Sequence, residues 1–460
     1  MELRTKNSLV LRSAKLVHYL LIVTMFIATY AIYYRYPGAL SDRRTADIAT
    51  CGVYSIVVYL LARNYAAYGV GYYSISDIVY SQSLSEFIGS FIAYVMLALI
   101  NMYLMNPIPL LALLAAQLVI NVIWSYLVNK LYFKLHSYKE TALIFGNERD
   151  LSRLKEIRYF EQKFHVEKMI EAPSSFEELI SQLDGIECIC VAGIESSIHN
   201  KIVKYCIENR KTVYVAPSVS DIIMRGARYM RYFKVPILCV RNAAPNADYL
   251  ILKRFFDIVG SLIGLILMGP FMLITAAIIK ISDGGPALYR QVRLTKDGKR
   301  FAILKFRSMR VDAEKDGIAR VAAENDERIT PIGRFIRAIR FDELPQLINI
   351  LIGDMSFVGP RPERPEIAEQ YEKFIPSFPL RLQVKAGLTG FAQVYGKYNT
   401  DPYDKLQFDL MYINNMSAIE DMKLMFTTIK ILFIKESTEG ISDDKYNVSI
   451  SEQRSDGLKD

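Results

Sequence analysis

Four apolar stretches crowd the first third of the chain, at about residues 14–34, 46–62, 84–105 and 108–128. Each is close to the roughly 20 residues that a helix needs to cross a bilayer, with the second on the short side. The chain is therefore predicted to begin with four transmembrane helices. The first stretch is too long for a removable signal peptide and lacks a cleavage-site pattern. Arg4, Lys6, Arg12 and Lys15 precede it, and Lys130, Lys134 and Lys139 follow the fourth. That bias predicts both ends on the cytoplasmic side. Arg35, Arg43 and Arg44 in the first loop pull mildly the other way, offset by Asp42 and Asp47. Tyr30, Tyr33, Tyr34, Tyr72, Tyr73 and Trp124 are placed for interfacial belts, and Asn106-Pro107-Ile108-Pro109 makes a tight turn between the third and fourth stretches.

A fifth apolar stretch, Phe255 to Ser282, decides where everything after it lies. Ile258 through Ile279 carries no charge, and hydropathy alone favours a full span, which would put the rest of the chain outside the cell. Gly269-Pro270 interrupts it, and Pro removes an intrahelical hydrogen bond and clashes with the preceding turn. A helix broken there can enter one leaflet and return, if protein covers the freed backbone groups. The cationic sequence that follows suits phosphorylated, cytoplasmic substrates, so a re-entrant helix is expected.

Between the membrane stretches the pattern changes to alternating strands and helices. Thr141–Gly146, Val166–Ile170, Glu187–Gly193 and Thr212–Pro217 read as strands, with helices at 148–162, 174–184 and 196–210. That is a small doubly wound α/β unit. Its first strand ends Phe145-Gly146-Asn147-Glu148-Arg149-Asp150, without the glycines that let a backbone approach a pyrophosphate. No cofactor is expected there; a structural, regulatory or dimerisation role fits better.

The five cysteines, Cys51, Cys188, Cys190, Cys206 and Cys239, are scattered and odd in number, as in a reduced compartment. Cys188 and Cys190 sit in an apolar run and read as core. All four histidines, His18, His136, His165 and His199, precede residue 200, so chemistry further on must rest on carboxylates, Lys, Arg and a metal. The net charge is +8, and most of the Lys and Arg lie in the C-terminal half. Anionic lipid and phosphorylated substrates suit it, and no nucleic-acid motif is present.

The C-terminal half centres on Arg340-Phe341-Asp342-Glu343-Leu344-Pro345-Gln346-Leu347, followed by Gly353-Asp354-Met355-Ser356-Phe357-Val358-Gly359-Pro360-Arg361-Pro362. Leu344, Leu347, Ile348 and Leu351 recur at helical spacing, and Pro345 suits a first turn. Asp342 and Glu343 are thus predicted at or just before a helix N-terminus, where free N–H groups and the dipole favour anions. Arg334, Arg337 and Arg340 precede the pair, and Arg361 and Arg364 follow it. Two readings stand on local grounds: an N-cap with surface ion pairs, or a site for phosphate and metal chemistry.

With Asp283-Gly284-Gly285-Pro286, Lys305-Phe306-Arg307-Ser308-Met309, the two stretches above, Gly387-Leu388-Thr389-Gly390-Phe391-Ala392-Gln393-Val394 and Phe408-Asp409-Leu410-Met411-Tyr412, the sequence over about 253–435 resembles the bacterial sugar transferase family. These are monotopic polyprenyl-phosphate phosphoglycosyl transferases, and the four spans and α/β unit look like the family's long form. The resemblance implies a membrane protein of four parts: a four-helix transmembrane bundle (1–135), a Rossmann-like, CoA-binding-like domain (136–248), an α-rich monotopic catalytic domain (249–436) with its re-entrant helix at 255–282, and a disordered tail (437–460). It implies a multi-pass protein of the bacterial inner membrane, its catalytic domain facing the cytoplasm.

The implied reaction transfers a sugar 1-phosphate from a UDP-sugar to undecaprenyl phosphate, releasing UMP and starting exopolysaccharide, capsule or O-antigen synthesis. By position, Asp342 would be the nucleophile and Glu343 would hold Mg²⁺, with Lys305 and Asp409 as further catalytic positions. Arg307, Arg340, Pro360, Arg361, Pro362, Gln393 and Lys397 would contact substrate. Expected partners are the donor, the lipid acceptor, membrane lipid and, through the middle domain, a second copy of the chain. Ile348 and Phe391 stand where the family often has Trp, and Gly396-Lys397 where it has Gly-Arg. Helical segments 363–374, 402–416 and 418–435 are expected to cover the site or lie on the membrane.

Two other readings fit parts of the pattern. A membrane-tethered nucleotide-sugar dehydratase would share the spans and the α/β unit but needs a dinucleotide turn. A non-enzymatic assembly protein would be expected to lose the acidic pair or its cations. Nothing in the sequence selects the sugar.

Overall fold

Long apolar runs become four helices: α1 (Glu2–Tyr33), α2 (Asp42–Asn64), α3 (Ile75–Asn101) and α4 (Ile108–Leu135). They lie where the sequence predicts crossings, and all four are long and apolar enough to cross a membrane. The computed structural model describes residues 2–35, 42–136, 139–155, 157, 159–171, 175–232, 235–240, 245–311, 313, 326, 328–396 and 401–431; the predicted disordered tail lies outside them. By its contacts the chain forms two compact units, Met1–Ala216 and Pro217–Asp460.

In the first unit, Ser74 opens α3 by accepting from the Asp77 N–H, while the Asp77 carboxylate accepts from the Ser74 N–H. Phe26 stacks on Tyr54 at 3.7 Å in the bundle core, with Val58, Ala93, Leu97, Leu110 and Leu113 around them. A polar chain crosses this apolar interior. The His18 ring Nε2 lies 3.0 Å from Asn121 Oδ1, and Asn121 Nδ2 donates to Glu86 Oε2 at 2.9 Å. Buried polar groups need partners, and this chain supplies them across α1, α3 and α4.

The rest of the unit is the α/β part: β1 (Lys139–Phe145), α5 (Glu148–Lys155), α6 (Phe160–Lys163), β2 (Phe164–Glu171), α7 (Phe176–Gln182), β3 (Cys188–Ala192), α8 (Ser196–Glu208) and β4 (Thr212–Val215). The strands form one parallel sheet in the order β2-β1-β3-β4. Both faces of β3 are covered, so Cys188 and Cys190 are buried, free thiols. The helix predicted over 148–162 is two helices instead, because Tyr159 takes a left-handed conformation. The strand order reverses between β1 and β3, where such sheets bind ligands beyond their carboxyl ends. There the Asp150 carboxylate fills the crevice. It packs so closely on Gly193, at φ +64°, that no side chain fits at that position. An anion in that place is unfavourable for a pyrophosphate.

The second unit begins at Pro217 and so includes about thirty residues ahead of the catalytic domain that the resemblance implies from 249. Its elements begin with α9 (Val219–Arg225), the hairpin β5 (Arg228–Tyr232) and β6 (Val235–Cys239), and α10 (Ala247–Asp283). Then come the antiparallel hairpin β7 (Leu288–Leu294) and β8 (Arg300–Phe306), α11 (Pro331–Ala338), α12 (Gln346–Ile352) and β9 (Ser356–Val358). α13 (Pro365–Phe374), β10 (Gly387–Thr389), α14 (Phe391–Tyr395), α15 (Pro402–Asn414) and α16 (Ala418–Ile431) complete it. α9 belongs here because Ile222 enters the core formed by Val358, Phe378, Leu406, Leu410 and Leu424. Gln407 and Asn414 also bond the Pro217 and Ile222 carbonyls. The predicted helical segments 363–374, 402–416 and 418–435 appear as α13, α15 and α16, whose apolar faces pack into this core.

α10 is a single helix of 37 residues with Pro270 inside it, so the break expected at Gly269-Pro270 does not occur. Pro removes one hydrogen bond, and the turns on both sides carry the helix through. One stripe of α10 faces the unit along its whole length. Lys253 pairs with Asp421 near the start, Leu265 packs beside Leu347 and Ile350, and Met272, Ala276 and Ile279 pack with Phe306 and Ile336 near the end. Leu262, Ile266, Phe271, Leu273, Ile274 and Ile281 on the remaining face are exposed. By length and composition α10 is the fifth of the described helices long and apolar enough to cross a membrane.

Candidate active site

The Asp342–Glu343 pair lies in a tight 3₁₀ turn, Phe341–Glu343, that leads into α12. Arg340 enters the turn at φ 56°, and its carbonyl accepts the Glu343 N–H at 3.3 Å. Phe341 stacks on Phe306 at the end of β8 and fixes the turn against the hairpin. Behind it, Leu347 and Ile350 of α12 enter the core with Phe301, Ile303 and Met355. Asn349 acts as a substitute strand: its Nδ2 donates to Ala302 O and its Oδ1 accepts from Leu304 N–H, both at 2.9 Å.

Three cations converge on one oxygen of Glu343. Arg361 Nη2 lies 2.9 Å, Lys305 Nζ 3.5 Å and Arg340 Nη1 3.8 Å from Oε1. Burial opposes ionisation of this carboxyl, but Arg361, Lys305 and Arg340 outweigh it and hold it well below the usual carboxylate range. Asp342 is different. It is 8% exposed, and its carboxylate makes no hydrogen bond or salt bridge among the described residues. Burial, then the adjacent Glu343, pushes it up to about 6, against Lys305, Arg337 and Arg340. Burial lowers the Lys305 ammonium, with Glu343 opposing.

Arg361 stands on a loop gripped from several directions. Gly359 N–H donates to Thr389 O at 2.8 Å and Gly387 N–H to Pro360 O at 2.9 Å. The two backbones approach so closely that no Cβ fits at Gly359 or Gly387. Arg381 Nη2 donates to Arg361 O at 2.9 Å, and Arg293 Nη1 to Pro362 O at 3.1 Å. Arg381 is itself held by Asp409, whose Oδ2 lies 2.8 Å from Nε and 2.7 Å from Nη2. Asp409 is 1% exposed, which rules out a helix surface charge. It reaches the Arg361 loop through Arg381 and makes no bond to the acidic pair among the described residues.

The structure therefore brings Asp342, Glu343, Lys305, Arg340 and Arg361 together, with Pro360, Pro362 and Asp409 holding the loop behind them. Arg307 is buried against Gly285, just past the end of β8. Gln393 sits on α14 beside Gly390, its carboxamide buried without a hydrogen-bond partner among the described residues. Lys397 lies outside the described residues. Arg381 and Asn349 do not stand out in the sequence, whereas Arg293 belongs to the cationic run Tyr289-Arg290-Gln291-Val292-Arg293. Arg381 had one signal, as a lone cation in Phe378-Pro379-Leu380-Arg381-Leu382.

Among the described residues no group of three or more His, Cys, Asp or Glu could hold a metal by itself. The contacts of Glu343 all fall on Oε1, and Oε2 takes part in none of them. This donor set fits Mg²⁺, which is commonly bound by one or two carboxylates together with substrate phosphates.

Residues 248–435 match the family model of the bacterial sugar transferases. The chain is 36% identical over 248 residues to the UDP-glucose:undecaprenyl-phosphate glucose-1-phosphate transferase of Klebsiella pneumoniae, covering 53% of each. It is 40% identical over 191 residues to the UDP-N-acetylgalactosamine-undecaprenyl-phosphate N-acetylgalactosaminephosphotransferase of Aeromonas hydrophila, covering 41% of this chain and 45% of that one. It is also 40% identical over 200 residues to the exopolysaccharide production protein PSS of Rhizobium leguminosarum bv. phaseoli, covering 42% of this chain and 98% of that one. The chain spans about half the length of the first two relatives. It belongs to the bacterial sugar transferase family.

Proposed function

We propose that the chain is a polyprenyl-phosphate sugar phosphotransferase, moving a hexose 1-phosphate from a UDP-sugar to undecaprenyl phosphate. The division between the two carboxylates carries this reading. Glu343 is saturated with cations on one oxygen, whereas Asp342 beside it is unbonded among the described residues. A saturated acid holds charge in place, and an unbonded one is available to attack.

In the first step a carboxylate oxygen of Asp342 attacks the β-phosphorus of the donor. A P–O bond forms to Asp342, the bond to the bridging oxygen breaks, and UMP leaves with the electron pair. In the second step a phosphate oxygen of undecaprenyl phosphate attacks the same phosphorus. The acyl phosphate P–O bond breaks, Asp342 regains its carboxylate, and a sugar diphospholipid is released. Arg361, Lys305 and Arg340 offset the repulsion between the donor diphosphate and the acidic pair. Arg381 and Arg293 hold the Arg361 loop so that its guanidinium need not reorganise during the reaction. Glu343 would hold Mg²⁺, which would supply charge neutralisation for the diphosphate and its leaving group.

The exposed apolar face of α10 and its packing on one unit from Lys253 to Ile279 support a helix seated in one leaflet. The catalytic unit would then face the cytoplasm of the inner membrane, where nucleotide sugars are made. Its product would start an exopolysaccharide, capsule or O-antigen.

The relatives differ in the sugar they are named for, so the test is UMP release with UDP-glucose, UDP-galactose and UDP-N-acetylgalactosamine. It is run with undecaprenyl phosphate and Mg²⁺. Release should occur with at least one donor, stop on adding EDTA, and be abolished in Asp342→Ala. Release that persists in Asp342→Ala removes it as the nucleophile. No release with any donor sinks the UDP-sugar reading.

A further inference from the structure

α10 does more than anchor the second unit. Its first turns carry Arg254 and Asp257, and each fastens one of the two elements that carry the site. Arg254 Nη1 donates to Ile350 O and Nη2 to Leu351 O, both at 2.7 Å. These carbonyls belong to the last turn of α12, where the helix supplies no partner and the dipole is negative. The Asp342–Glu343 turn feeds the opposite end of the same helix. Gly353 ends α12 at φ +106° and leaves room for the guanidinium, since a Cβ there would lie 3.2 Å from Arg254 Nη2. Asp257 Oδ1 accepts from Ser356 Oγ and from the Phe357 N–H, both at 3.0 Å. Asp257 is 4% exposed and Ser356 fully buried. β9 then runs directly into Gly359-Pro360-Arg361.

We propose that Arg254 and Asp257 are positioning residues for the transfer. Acting through α12 and β9, they set the spacing between the Asp342–Glu343 turn and the Arg361 guanidinium. α12 has only 7 residues. At 1.5 Å per residue it is about 10 Å long, so a tilt at its clamped end displaces the acidic pair at the other. Because both clamps come from the membrane helix, the seating of α10 in lipid also registers the acidic pair to the surface where a lipid phosphate is presented. The kinetic consequence rests on the phosphosugar-transfer reading; the clamp itself does not.

The test uses the full chain in lipid nanodiscs, with Arg254→Gln, Arg254→Lys, Asp257→Ala and Asp257→Asn, and with the exposed Ile251→Ala as control. The first readout is hydrogen exchange. Arg254→Gln should speed exchange at 346–355 and leave 365–374 as in wild type, and Ile251→Ala should change neither. The second is donor kinetics. In Arg254→Gln, kcat should fall roughly 10- to 100-fold, as a displacement of about an ångström produces, with KM for the donor within about twofold. Arg254→Lys should recover part of the loss, because one ammonium does not span both carbonyls as a guanidinium does. Asp257→Asn keeps an acceptor oxygen and should restore most of what Asp257→Ala loses. If Arg254→Gln does not accumulate as folded protein, Arg254→Lys supplies the same comparison at smaller amplitude. Unchanged exchange at 346–355 would overturn the clamp, as would a rise in KM at constant kcat or an equal loss in Ile251→Ala. Wild-type protein that releases no UMP from any donor sinks the transfer reading alone, and the exchange readout still decides the clamp.

Discussion

Arg381 is the side chain at which stability and chemistry can be separated. It is 3% exposed and Asp409 only 1%. Arg381→Met would strand a carboxylate in the core and should cost about 3–5 kcal/mol, typical for breaking a buried pair from one side. Adding Asp409→Leu removes the stranded charge and should return thermal stability close to wild type. Turnover should stay low in both, because the Arg361 carbonyl has lost its holder. Thermal unfolding read beside UMP release decides the matter, and a double variant that recovers both would make the pair purely structural. The sequence could not reveal this pair. A lone cation in an apolar run signals a buried partner, but Asp409 lies 28 residues away and no local pattern links them. The Asp342–Glu343 pair and its flanking arginines were legible, because adjacent charges and the turn that carries them are local features.

At the scale of elements, α12 and β8 stabilise each other through Asn349. Asn349→Leu leaves the Leu304 N–H and the Ala302 carbonyl without their partners, at a cost of about 1–3 kcal/mol for a buried group left unsatisfied. Since β8 carries Lys305, the variant should also loosen that cation from Glu343. Exchange at 300–306 should rise with the loss of thermal stability, and unchanged exchange would mean that the hairpin holds itself. Helices and strands of the first unit were readable because apolar length and period are local. The 3₁₀ turn was not, since Phe341 on Phe306 and the left-handed Arg340 set it through packing. Tyr159, left-handed and with its ring edge-on to Phe133, divides a predicted helix that the local pattern runs straight through. α9 shows the limit again. Its membership of the second unit rests on Ile222 packing with Val358, Phe378 and Leu406 and on bonds from Gln407 and Asn414, partners all remote in sequence.

For the whole molecule the open choice is how α10 meets the bilayer. Its 37 residues make about 55 Å of helix, against a hydrocarbon core of about 30 Å. Hydropathy registers only the preference for lipid and so favours a crossing. A crossing would put Lys253 and Ile279 near opposite faces, yet Lys253 pairs with Asp421 and Ile279 packs with Phe306 and Ile336 of the same unit. A water-soluble face cannot follow the helix through hydrocarbon, so these contacts argue for seating in one leaflet, with the break at Pro270 unnecessary. Ser282→Cys is a direct test, because that residue is exposed at the end of α10. In a background without Cys51, Cys188, Cys190, Cys206 and Cys239, an impermeant maleimide should leave it unmodified in intact cells. The same reagent should modify it in inverted membranes. Modification from outside would establish a crossing and place Asp342 on the side of the membrane where no nucleotide sugar is supplied, which would undo the proposed reaction together with the proposed seating.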